Sequence, residues 1–192
     1  MGLWYQCIVD RDTDSEADAR EHAARVVAWL AGRGIIEPDL SACLLGEEQG
    51  YAPGPKAYTA FAAKSDGTAL QDNDGLDHMQ VNGLEVIIGR EVSFNMQGEF
   101  EAALCPECGH RRAQDGEWSD AMSGWAEGTG DGLLLCPACD KATTVAEWEH
   151  IDPMGFGTLT FKFWDWPVLS DDFVNDLAAE LDRRIAFISG KL

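Results

Sequence analysis

Four cysteines stand in two matching frames, Cys105-Pro106-Glu107-Cys108 and Cys136-Pro137-Ala138-Cys139. A Cys-x-x-Cys turn aims both sulfurs inward while neighbouring amides donate to them, so two such turns offer four thiolates to one tetrahedral metal ion. Four protein ligands leave no open coordination position, and the expected site therefore builds structure and does not catalyse. His110 lies two residues beyond Cys108 and could replace a sulfur, but the cysteines already complete the set. Cys7 and Cys43 remain in apolar contexts, where an unpaired thiol behaves as a small buried hydrophobe and no disulfide framework is expected.

Other motifs carry less. Asp72-Asn73-Asp74-Gly75 has the look of a calcium loop, yet Leu70 and Val81 occupy the first and twelfth ligand positions, so it reads as a solvated turn. Gly128-Thr129-Gly130-Asp131-Gly132 lacks the Lys-Ser/Thr ending of a phosphate loop and reads as hairpin flexibility. The sequence contains no nucleophile elbow and no metalloprotease helix. Glu47, Glu48, Asp74 and His78 are the residues an enzyme site in the 47–78 region would draw on. Two stretches are candidate contact surfaces for a protein partner: Glu47, Glu48, Tyr51, Lys56 and Tyr58 in a loop-rich region, and Trp164, Asp165 and Trp166 just past a strand.

The elements that must position these residues follow from periodicity. Residues 3–9 alternate as a strand, and Ser15 caps a helix whose buried stripe is Ala19, Ala23, Val26, Val27 and Leu30, stopped by Gly32 and Gly34. From Ile35 to Asp77, Gly and Pro interrupt the pattern, and only Ala57–Ala63 reads as a short helix. Asn82-Gly83 between Met79–Val81 and Leu84–Ile88 predicts a two-residue hairpin turn. Val92, Phe94, Met96, Phe100, Ala102 and Leu104 continue a period of two into the first cysteine turn. Thr144 and Glu147 have capping-box spacing for a short helix near Trp148, and Leu159, Phe161 and Phe163 mark a strand. Ser170 caps a closing helix with Phe173, Leu177 and Leu181 on one face, before a strand at Ile185–Ile188.

The paired Cys-Pro-x-Cys turns, each preceded by apolar strand residues, resemble a zinc ribbon over about residues 100–145. That resemblance implies a structural zinc on Cys105, Cys108, Cys136 and Cys139, in a family whose members bind nucleic acid or proteins. The 27 residues between Cys108 and Cys136 exceed the roughly 15–20 of a compact pattern, which predicts an extended loop built around Trp118, Trp125 and the Gly128–Gly132 run. The pattern is also similar to rubredoxin, an iron electron carrier, in which a glycine follows the turn as Gly109 does here. Asp140 after the second turn, and His110 where that family has an aromatic residue, favour zinc and leave iron as the alternative.

Charge constrains partners. The 34 acidic and 14 basic residues give a formal net charge of -20, a field that repels a phosphate backbone. Within the cysteine segment, Arg111 and Arg112 face Glu107, Asp115, Glu117, Asp120, Glu127 and Asp131. No run approaches the roughly 18 apolar residues of a membrane span and no basic leader opens the chain, so a cytoplasmic location is expected. The expected fold is α+β: residues 1–192 as one compact domain, a mainly antiparallel sheet with helices near both termini, and an inserted four-cysteine ribbon at 100–145 as a sub-domain. The expected function is a non-enzymatic acidic interaction module that neutralises a basic protein, as an immunity protein silences a bacterial toxin. The alternatives are a zinc-ribbon factor acting on nucleic acid through Arg111, Arg112 and Lys141, and an enzyme with its site in residues 47–78.

Overall fold

Strand β1 (Trp4–Asp10) ends on a buried carboxylate, and that carboxylate makes the first turn. Asp10 accepts hydrogen bonds from the backbone N–H groups of Asp12 and Thr13 and from the Thr13 hydroxyl, so the chain reverses into helix α1 (Glu16–Gly32). Ser15 caps α1 by accepting from the Asp18 N–H, and Ala19, Ala23, Val26 and Leu30 form its buried stripe. The computed structural model describes residues 3–46, 49–64, 68, 70, 72, 73, 76, 81–95 and 102–191.

Two strands occupy the region that the sequence pattern leaves as a loop: β2 (Ile36–Ser41) and β3 (Gly50–Pro53), paired antiparallel. Their glycines and prolines mislead because β2 is an edge strand, where the missing N–H of Pro38 breaks no ladder. The expected short helix is a 3-10 turn at Ala57–Ala60. Asn73, from the calcium-like stretch, bridges the Tyr58 N–H and the Gly54 carbonyl. The expected Asn82-Gly83 hairpin turn is corrected: Gly83 is the first residue of β4 (Gly83–Phe94) and pairs with Trp164. Glycine is needed there for close approach, since a Cβ would lie 2.5 Å from the Cys43 sulfur and 3.1 Å from the Tyr51 carbonyl oxygen.

After β4 come β5 (Ala102–Leu104), β6 (Arg111–Ala113), helix α2 (Gly116–Ala126), β7 (Leu133–Leu135), β8 (Ala142–Thr144) and β9 (Glu149–His150). The chain then returns through β10 (Met154–Trp164), α3 (Asp171–Leu181) and β11 (Ile185–Lys191). The fold is mixed α and β with a mainly antiparallel six-stranded sheet, ordered β11-β1-β10-β4-β3-β2. Its first four strands with α1 and α3 follow a split β-α-β-β-α-β order, in which the cysteine segment joins β4 to β10.

Alternation sorts the side chains. Ile8, Leu84, Leu159, Phe161 and Phe163 pack with Val26, Leu30, Phe173, Leu177 and Leu181 in the main core, each large side chain stabilising by about 1.5–3 kcal/mol. A bulge breaks the β4–β10 register: Ile88 faces Leu159 but Glu91 faces Gly157, and Gly89 sits at φ 126° within the extra length. Beyond it, Met154 and Phe156 leave the main core and join a second cluster around the cysteines, with Val92 and Phe94 packed against it. No described helix is long and apolar enough to cross a membrane.

Candidate metal centre

Each cysteine turn is the tip of a short hairpin. Leu104 pairs with Arg111 in β5–β6, and Leu135 pairs with Ala142 in β7–β8. The two tips share one backbone design. The Cys105 N–H donates to the His110 carbonyl at 3.0 Å and the Gly109 N–H to the Cys105 carbonyl at 2.8 Å; Cys136 with Lys141, and Asp140 with Cys136, repeat these bonds at 2.8 and 3.0 Å. Both turns close through a left-handed residue, Gly109 at φ 70° and Asp140 at φ 55°. Asp140 in place of a glycine is therefore no structural departure, since Asp is among the few residues that visit this region. Gly109→Ala, with open space around its Cβ, is expected to cost about 1–2 kcal/mol for conformation alone, and Asp140→Gly to be neutral or stabilising; denaturant melts of the metal-loaded chain check both.

The hairpins bring the four sulfurs together, all within 4.8 Å of one another. The Cys105–Cys139 and Cys108–Cys136 separations are 3.9 and 3.7 Å. A tetrahedral ion with metal–sulfur bonds of about 2.3 Å puts its ligands about 3.8 Å apart, whereas a disulfide needs about 2.05 Å. The cluster thus has the dimensions of a four-thiolate metal site. Cys105 and Cys136 are buried, Cys139 is half-buried and Cys108 is exposed, so the site lies at the surface with one wall in the second core.

Burial opposes ionisation of Cys136, but the N–H groups of Ala138 and Cys139 outweigh it and bring the thiol down to about 7. At Cys139 the Lys141 N–H favours the thiolate, yet burial and the sulfurs of Cys108, Cys136 and Cys105 push it up to about 12. Ionising Cys139 beside the neighbouring sulfurs is therefore unfavourable. A bound divalent ion removes that conflict.

Behind the sulfurs lies an aromatic wall. Trp118 and Trp148 are almost fully buried and meet edge to face at 5.4 Å between centroids. The expected extended loop between the turns is corrected: it contains helix α2, capped by the Asp115 carboxylate accepting from the Trp118 N–H. Trp118, Met122 and Trp125 at i, i+4 and i+7 are the signal that identifies this helix. The Thr144–Glu147 box does not form; Val145–Glu147 is a 3-10 turn, and the Thr144 hydroxyl donates to the Asp131 carbonyl. Arg90 of β4 donates to the Trp125 and Gly130 carbonyls and lies over the Trp125 ring, tying α2 to the main sheet.

His150 completes this wall, stacked on Phe156 at 5.3 Å and edge-on to Trp118 at 5.4 Å. It is no metal ligand, because four sulfurs already form the cluster. Burial pushes His150 down to about 4, helped by Arg11 against a weaker pull from the Val145 backbone. The unfolded chain therefore takes up this proton first as pH falls. The histidine's contribution is complete above pH ~6.5 and declines towards pH 4, by up to roughly 3 kcal/mol. In His150→Phe the slope of stability against pH over that window is expected to shrink by one proton's worth, as read from denaturant melts; the slope due to thiolate protonation stays.

The structure separates the other predicted site residues. Glu47, Glu48, Asp74 and His78 lie outside the described residues. Tyr51 is half-buried on β3 against the main core. Trp164 is half-buried and donates its indole N–H to Glu85, while Asp165, at φ 49°, accepts from the Trp4 N–H. Trp166 is buried between Phe61 and Phe163. No protein-family model matches the chain, and no curated protein or solved structure matches it.

Proposed function

We propose that this chain is a metal-stapled, acidic interaction module whose partner is a basic protein, and that its ion is zinc. The observation that carries the reading is how the charge is spent. Arg20, Arg25, Arg33, Arg112, Lys162 and Arg184 each lie in an ion pair with one of the chain's own carboxylates. With 34 acidic against 14 basic residues, the net charge of -20 sets up a field that steers a positive surface and rejects a phosphate backbone. Arg112, which a nucleic-acid interface would need, is tied to Asp115, Glu117 and the Leu135 carbonyl.

Four thiolates suit both zinc and iron, and a closed four-ligand site fits the role of a structural staple. Elemental analysis of purified protein is expected to give one zinc per chain and no iron; an iron-loaded, coloured protein would overturn that assignment. For the partner, a nuclease-treated pull-down from native extract is expected to retain one basic protein in near-equal amount, released by salt. A basic toxin is the type of partner this describes. Retention of nucleic acid, or of no basic protein, would overturn the reading.

A further inference from the structure

The hairpin that carries Cys136 displays an apolar ladder beside acids. Leu133 and Leu135 alternate with the buried Leu134, so both project from one face of β7, 60% and 56% exposed. They line a groove of about 580 Å³ between β7 and α2, with Glu117, Asp120 and Asp131 along it. Exposing two leucines side by side costs solubility and contributes nothing to the core beneath. Solvation alone explains the acids but not the leucines. Leu135 also immediately precedes Cys136, so a metal ion held by the cysteines would fix this ladder before any partner arrives and lower the ordering cost of binding.

We infer that the β7–α2 groove is where the basic partner docks, and that it takes a segment whose apolar side chains alternate with Lys or Arg. This rests on the interaction-module reading and adds the site and its chemistry. The apolar residues cover Leu133 and Leu135, and the cations meet Asp120 and Asp131.

The test uses the metal-loaded full chain and two fluorescent peptides of equal positive charge, one alternating Leu with Lys and one alternating Ser with Lys, followed by anisotropy. The Leu–Lys peptide is expected to bind at least tenfold more tightly. The double substitution Leu133→Ser, Leu135→Ser should erase that preference without changing metal content or melting temperature. Asp120→Asn with Asp131→Asn should weaken both peptides and flatten their salt dependence. Equal binding of the two peptides, or a preference that survives the leucine substitutions, overturns the groove while leaving the acidic-module reading in place. Binding of neither peptide overturns both.

Discussion

Cys136→Ser is expected to lower the metal content from one ion per chain to below about a tenth and to unfold the paired hairpins, because the serine hydroxyl cannot replace a buried thiolate. Structural zinc in small modules contributes an apparent ~10–16 kcal/mol, and β5–β6 and β7–β8 are each pairs of only three-residue strands. Strands this short are not stable alone. The near-UV circular dichroism of Trp118 and Trp148 should collapse, since the wall they form packs on Cys105 and Cys136. The far-UV signal of α1 and α3 should largely persist, because their core is a separate cluster. A chelator should reproduce the effect in the unmodified chain, and acidification should promote it as protons compete for the thiolates. A Cys136→Ser protein that kept its metal and its tryptophan signal would show that the sulfurs do not share an ion.

The second large effect is expected at Trp148. Its ring is fully buried, and Trp148→Ala should cost about 3–5 kcal/mol by leaving a cavity against Trp118. Neither indole N–H of this pair has a hydrogen-bond partner among the described residues. Trp148→Phe removes one such buried donor along with part of the ring, so its cost should be well below that of the alanine. Denaturant melts of the metal-loaded variants separate the two. Equal losses would mean that the cavity is not the main source of the instability. Because the wall supports β7 through Leu134 and Cys136, Trp148→Ala should also weaken metal retention under a fixed chelator concentration, whereas a substitution in the main core should not.

Features are legible in the sequence where the physics behind them is local. The two cysteine turns, the caps Ser15 and Ser170, the stripes of α1 and α3, and the Leu159-Phe161-Phe163 alternation each depend on residues within a turn or a strand, and the structure contains all of them. Helix α2 is equally local, but its tryptophans sit between two metal turns whose spacing alone points to a loop.

Tertiary context decides the rest. Strands β2 and β3 exist because β4 offers an edge to pair with, and that edge position is what makes Pro38 acceptable. Gly83 is a glycine because Cys43 and the Tyr51 carbonyl approach it from distant parts of the chain, not because a hairpin turns there. Trp166 has the sequence neighbours of an exposed anchor beside an acid, yet Phe61, more than a hundred residues earlier in the chain, closes over it. Residue types and their spacing by themselves pointed to the four cysteines that the structure brings within metal-binding distance, since the geometry of each pair is written into a six-residue turn. Which aromatic rings support that site, and which leucines stay exposed beside it, was decided only by the tertiary packing, because burial depends on neighbours that no local pattern names.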